Sequence, residues 1–265
     1  HRLIRRQRQM CIRDRDIHNE RKPHYRNKDS FAKITSNVDS LLKLGISVSI
    51  RINTDPYTME RADELLDYFK EKGWLQYQNF KAYYALLRKE VPIKGENGEY
   101  SKEMFTQSSF FCTYLQKGLE KQGCGKVMCQ DYSVRSVLTN MLLGKSTPYK
   151  SHFCGAQSGM IIFDPLGDIY SCWDVVGQRE YRVGHYMPDF VLEDTFADKW
   201  FDSRVSKFSC IKCKYVLFCG GGCLANAIRT TGNLQSGTCN DYSRLFNAEI
   251  KYIYNEKIKK GIDEN

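Results

Sequence analysis

Seven cysteines compressed into residues 154–239 constrain this chain more than any other feature it carries. They run Cys154-x12-Gly167-x4-Cys172, then Cys210-x2-Cys213-x5-Cys219-x3-Cys223, then Cys239. A C-x2-C turn lets two thiolates reach one metal centre. Cys219 and Cys223 are four apart, so on a helix they face the same side. The expectation is a helix that carries both and continues over LANAIRTT to an end near Gly232. Gly220, Gly221 and Gly222 lie between the two cysteines. Glycine lets backbone approach a cluster closely and offers N–H groups to its sulfur atoms, and such hydrogen bonds tune reduction potential.

Upstream, residues 160–163 and 168–171 flank Asp164-Pro165-Leu166-Gly167. Pro and Gly in that order fit a turn, so a hairpin is expected with Cys154 and Cys172 at its two ends. Cys239 opens a last long helix, expected over residues 242–259. The chain holds eleven cysteines, an odd number. Secreted disulfide frameworks belong to small domains with a secretory signal, and no signal-peptide pattern opens this chain. Clustered thiols in a reducing compartment more often bind metal. One structural zinc would take Cys210/Cys213 and Cys219/Cys223 as two pairs and leave Cys154, Cys172 and Cys239 without a role.

The first half reads as βα units. Residues 30–44 carry a helical stripe of Phe31, Ile34, Val38, Leu41, Leu42 and Leu44, with Asp29 or Ser30 to cap its start and Gly45 after its end. Residues 46–53 alternate strictly, with Ile46, Val48, Ile50 and Ile52 on one face and Ser47, Ser49, Arg51 and Asn53 on the other. A second helix over 59–72 ends at Gly73, and a second strand follows over 81–88. The order α-β-α-β with short links is that of parallel βα units. In a βα barrel the apolar face of 46–53 packs on helices and the polar face looks inward. Arg51 and Asn53 then sit near the carboxyl end of their strand, where a guanidinium could hold a carboxylate. An antiparallel strand with a solvated polar face fits the same alternation.

Residues 91–100 form a polar loop, and 103–122 and 132–143 are helical candidates. Cys112, Cys124 and Cys129 lie here without ligand spacing and read as ordinary thiols. The 265 residues, 42% apolar, suffice for one large or two modest domains. No apolar run approaches the roughly 18 residues of a membrane span, and a soluble cytoplasmic protein is expected. Residues 1–15 show no periodicity and resemble, over Gln9 to Arg15, the translation of a transposon end used in sequencing libraries. They are taken as a non-native scar or a disordered basic arm, outside the fold. Their six Arg and one Asp account for +5 of the net +9. A bound cluster with four thiolates would remove about two further charges. The basicity therefore argues for no nucleic-acid partner, and no membrane partner is expected.

The complete spacing resembles the seven-cysteine SPASM domain, the carboxyl-terminal extension of many radical S-adenosylmethionine (SAM) enzymes. The resemblance covers residues 150–245. More loosely, Ile17-His18-Asn19-Glu20-Arg21 with Ser30-Phe31 and Ile50-Arg51-Ile52-Asn53 resembles the stretch after the fourth strand of the radical SAM barrel. The implied fold is α/β: the later part of a radical SAM barrel over 16–149, then a small α+β cysteine-rich SPASM domain over 150–265. The implied cofactors are two auxiliary [4Fe–4S] clusters. Cys210, Cys213, Cys219 and Cys239 would hold the outer one, and Cys154, Cys172 and Cys223 the inner one. Some relatives draw the inner cluster's fourth ligand from a cysteine just before the first. Residues 148–153 here contain none, so that position is open to substrate or filled by a distant group such as Cys112, Cys124 or Cys129.

The C-x3-C-x2-C motif that holds the catalytic cluster of this family does not occur in the sequence, nor does the glycine-rich segment at the SAM amino group. Both would precede residue 16. The reading is an amino-terminally truncated fragment, inactive alone. The full-length enzyme would use SAM and a third [4Fe–4S] cluster to abstract hydrogen from a peptide or protein residue. An electron donor such as a ferredoxin or flavodoxin would serve it, and Arg51, Asn53 and Arg21 would lie on the SAM or substrate side. In the related anaerobic sulfatase maturases an Asp follows the second hairpin cysteine as a base. Trp173 stands there in this chain and Asp174 comes next, making Asp174 the candidate base. A zinc-stabilised interaction module and a two-cluster electron carrier are the alternatives. A polar strand face with Arg51 and seven thiols in this spacing argue against both.

Overall fold

The computed structural model describes residues 8–12, 15–21, 29–87, 105–131, 133–147, 149–239 and 241–255. They divide into two compact units, His1–Ser133 and Val134–Asn265. The elements of the first unit are β1 (Arg8–Ile12), α1 (Arg15–Arg21), α2 (Ser30–Lys43), β2 (Val48–Thr54), α3 (Pro56–Glu60), α4 (Ala62–Glu71), β3 (Phe80–Leu86), α5 (Gln107–Gln116), α6 (Leu119–Gln122) and β4 (Val127–Cys129). The strands form one sheet in the order β1-β2-β3-β4, with every neighbouring pair parallel. Parallel strands need a crossover between them, and the helices supply it.

Local chemistry sets the element ends. The Asp29 carboxylate accepts the Ala32 N–H at 3.0 Å to start α2, and Gly45 follows its end at φ 72°. Phe31, Thr35, Val38 and Leu42 are the buried stripe of that helix. In β2, Val48, Ile50 and Ile52 are fully buried, while Arg51 and Asn53 are half-buried. Because β2 is paired in parallel on both edges, the antiparallel alternative does not hold. Asp55 takes the N–H and the hydroxyl of Thr58 at 2.8 and 2.7 Å and starts α3.

Several expectations need correction. Residues 8–12 were expected outside the fold, yet they form β1 in register with β2 from Arg8↔Val48 to Ile12↔Ile52. Strand pairing uses main-chain groups, so a segment without side-chain periodicity can still join a sheet. Two strands were expected, and four are present among the described residues. The three residues of β4 are too short to show alternation. The helix expected over 59–72 is two helices, broken at Arg61. The one expected over 103–122 begins at Gln107 and breaks at Gly118, whose φ is 63°. The polar loop at 91–100 lies outside the described residues.

The second unit contains α7 (Val134–Leu142), β5 (Ile162–Phe163), β6 (Asp168–Tyr170), β7 (Gly184–His185), β8 (Val191–Leu192), α8 (Asp194–Phe201), α9 (Val216–Cys219), α10 (Leu224–Thr231) and α11 (Tyr242–Ile253). The four strands form an antiparallel sheet in sequence order. The expected hairpin is present as β5 and β6, shorter than expected. Asp164 closes its turn by accepting the N–H groups of Leu166 and Asp168 at 2.8 and 2.9 Å. Ile169, Tyr170, Trp200, Phe208 and Leu224 are among the buried residues of the core, and Cys154, Cys172 and Cys210 pack against it. The expected end of the last helix at 259 lies outside the described residues. Among the described residues no helix is long and apolar enough to cross a membrane.

Candidate metal centre

All seven spaced cysteines lie in the second unit, most of them at the ends of short elements. Cys154 precedes a 3₁₀ turn, Gly155–Gln157. The Phe153 and Cys154 N–H groups donate to Gln157 Oε1 at 2.9 and 3.4 Å. The buried Gln157 amide in turn donates to the Ser203 carbonyl. Cys172 follows β6 and opens the turn Trp173–Val175. In the C-x2-C turn, the Cys213 N–H donates to the Cys210 carbonyl at 2.9 Å. Cys219 ends α9, and the buried Cys223 caps α10.

The helix expected to carry Cys219 and Cys223 on one face is absent. Gly220, Gly221 and Gly222 stand at φ 74°, 84° and 82°, a left-handed run that no helix of L-residues continues through. The run separates α9 from α10, so the two thiols do not share a helix face. Burial pushes the Cys172 thiol up to about 12; an N–H from Asp174 opposes this, and the charges of Asp174, Cys223 and Cys154 add to it. Burial also raises Cys219, opposed by the N–H of Gly221 and reinforced by Cys210, Cys239 and Cys213. Cys210 is raised first by burial, with Cys213 and Cys239 adding. One thiolate perturbs another in this way only from close by. Cys154 and Cys223 therefore lie near Cys172, and Cys213 and Cys239 near Cys210 and Cys219.

Donors made only of thiols suit iron–sulfur clusters or zinc. Among the described residues no three His, Cys, Asp or Glu side chains converge on a point that would hold a single metal ion. Two thiols, Cys172 and Cys219, receive main-chain N–H groups, from Asp174 and Gly221, as cluster sulfurs do. Space beside the thiols is kept open by missing side chains: a Cβ on Gly237 would sit 2.7 Å from Cys210 Sγ. The residues present therefore fit the implied group.

The remaining candidates are dispersed. The Asp174 carboxylate lies 3.9 Å from the Arg229 guanidinium of α10, beside an exposed Trp173. Arg51 Nε donates to Asn53 Oδ1 at 2.8 Å at the carboxyl end of β2. Arg21 ends α1, with its side chain outside the described set. Cys112, Cys124 and Cys129 are in the first unit, on α5, in a turn at φ 52° and at the end of β4. Sequence reasoning missed Gly237, Thr238 and Arg229. None of them stands out in composition or spacing, because their roles come from contacts with residues distant along the chain.

No family model matches the chain. Over 261 residues it is 22% identical to a serine-type anaerobic sulfatase-maturating enzyme of Bacteroides thetaiotaomicron, covering 90% of this chain and 60% of that protein. Its fold is similar to that of anSMEcpe with bound AdoMet, with TM-score 0.64, 18% identity, and coverage of 97% of this chain and 65% of the other. Native anSMEcpe with AdoMet and the Kp18Cys peptide gives TM-score 0.60 at 17% identity, covering 97% and 69%. Streptococcus suis SuiB gives 0.57 at 14%, covering 88% and 54%. The chain spans 60% of the curated relative's length. The chain is thus similar in sequence to a serine-type anaerobic sulfatase-maturating enzyme and in its mixed α/β fold to anSMEcpe.

Proposed function

We propose that the chain is part of a radical SAM/SPASM enzyme that modifies a residue of a peptide or protein by hydrogen abstraction. In this reading the first unit is the later part of a radical SAM barrel and the second is a SPASM domain with two auxiliary [4Fe–4S] clusters. The gathering of spaced thiols in the second unit, Cys154 and Cys223 near Cys172 and Cys213 and Cys239 near Cys210 and Cys219, carries the reading. Cys210, Cys213, Cys219 and Cys239 hold the outer cluster, and Cys154, Cys172 and Cys223 the inner one. When bound, SAM with its own cluster would supply hydrogen-abstraction chemistry, and the auxiliary clusters would supply electron-accepting or substrate-holding capacity.

The chain's own residues do the rest. The glycine run brings the Gly221 N–H to Cys219, and Asp174 brings its own to Cys172. Asp174 is the candidate proton acceptor beside the inner group, oriented by Arg229. Arg51, steadied by Asn53, presents donors at the strand end where barrel enzymes bind substrate or cofactor. Arg21 belongs to the same side. A peptide substrate accords with the structurally similar anSMEcpe, which has been captured with a bound peptide.

Anaerobic purification of the full chain, followed by iron, zinc and acid-labile sulfide analysis, tests the reading. About eight irons and eight sulfides per chain are expected. One zinc and no sulfide would overturn it and leave a zinc-stabilised interaction module.

A further inference from the structure

Gly237 is glycine for want of space, not for its backbone. It does not share the left-handed conformation of the neighbouring Gly220, Gly221 and Gly222. A Cβ there would lie 2.7 Å from Cys210 Sγ, 3.3 Å from Phe208 Cβ and 3.4 Å from the Gly221 carbonyl. The first distance is shorter than a carbon and a sulfur tolerate, so either the thiol or the 237 backbone must move. The next residue lies along the same run. Its Thr238 N–H donates to the Gly221 carbonyl at 2.8 Å, and its hydroxyl donates to the Cys223 carbonyl at 3.2 Å. Its own carbonyl packs so closely that a Cβ on Gly222 would meet it at 1.9 Å. Cys239 follows at once.

We propose that Gly237 and Thr238 are positioning residues that clamp the two thiol groups together. Gly237 keeps open the space taken by the Cys210 thiol, and Thr238 ties the outer group to the main chain of Cys223 in the inner group. The proposal rests on the reading of those groups as cluster ligands. Its consequence is linked assembly. Whatever fixes Cys239 in the outer group also fixes Thr238, and through its hydroxyl the main chain at Cys223.

The test reconstitutes the full chain anaerobically with iron(II) and sulfide, as wild type, Gly237→Ala and Thr238→Val. Iron, labile sulfide, loading rate and the electron paramagnetic resonance midpoint of each cluster are measured. Gly237→Ala is expected to lose about half of the iron and sulfide, the inner cluster remaining and loading several-fold more slowly, as in Thr238→Val. Thr238→Val keeps the outer cluster and loads the inner one several-fold more slowly. Full iron with both signals unchanged in Gly237→Ala, or loss of both clusters in parallel with thermal stability, overturns the Gly237 role. An unchanged inner loading rate in Thr238→Val overturns the link. If the wild type takes up no sulfide, the cluster reading itself fails. The clamp is then judged in the metal-free chain by iodoacetamide labelling. Gly237→Ala should raise the labelling of Cys210 relative to Cys172 several-fold, and an unchanged ratio overturns it.

Discussion

Arg135 Nε stands 3.4 Å from Oε2 of Glu249, a residue with no exposed surface. The contact joins α7 to α11 within the second unit, and the guanidinium also lies over the Tyr252 ring at 5.6 Å to the centroid. Truncating one partner of such a pair leaves the other charge buried without compensation. Arg135→Met should therefore destabilise the second unit by about 3 kcal/mol or more. Arg135→Met with Glu249→Leu should recover most of that loss. The check is the urea midpoint of each variant, and a double variant no more stable than the single one contradicts the argument.

Cys219→Ala removes one outer thiol without touching the inner set. The expected result is loss of about four irons and four sulfides of eight. Metal-binding energy is folding energy in such modules. The melting temperature should therefore fall strongly in the loaded protein and little in the metal-free one. Chelation of the wild type should mimic the variant. Unchanged iron content would show that the ligand set is misassigned.

Gly222 and Gly232 have similar left-handed backbones, φ 82° and 68°, in very different surroundings. A Cβ on Gly232 meets nothing within 4 Å, whereas one on Gly222 meets the Thr238 carbonyl at 1.9 Å. Gly232→Ala should cost about 1 kcal/mol from backbone strain alone. Gly222→Ala adds a main-chain clash and should exceed about 3 kcal/mol. Equal costs in chemical unfolding would mean that the 238 segment does not pack on the glycine run.

Asp29 gives the first unit an acid limb. Its carboxyl is held at about 2 against an ordinary 3.8, first by the Ala32 N–H, then by hydrogen bonds from Asn19 and Arg15. A depressed carboxyl stabilises the fold fully above its unfolded value, and the contribution fades as pH falls through the folded one. The helical signal of the wild type should therefore decline between pH 4 and about 2. Asp29→Asn keeps an oxygen for the Ala32 N–H but does not titrate, so it should flatten that part of the curve. An identical curve for the variant counts against the capping role.

Much of the first unit can be read along the chain because its signals are local. The stripe of α2, the alternation of β2 and the end signal at Gly45 involve residues within one or two turns of each other. The hairpin turn at Asp164–Gly167 is local in the same sense. The strands β1 and β4 escaped notice because a short parallel strand is specified by its partners' main-chain groups. The helix breaks at Arg61 and Gly118 also lay inside runs whose apolar spacing continued through them.

For the candidate site, the sequence by itself determined the seven thiols, their spacing and the glycines among them, since ligand chemistry depends on residue type. Only the tertiary structure decided that Cys219 and Cys223 do not share a helix. Cys219 and Cys223, four residues apart, part company because three successive left-handed glycines turn the chain between them. Cys239 reaches Cys210 and Cys219 because residues 237 and 238 dock on that turn. These contacts join positions 15 to 29 residues apart through main-chain hydrogen bonds and excluded volume, which carry no periodic mark in the sequence.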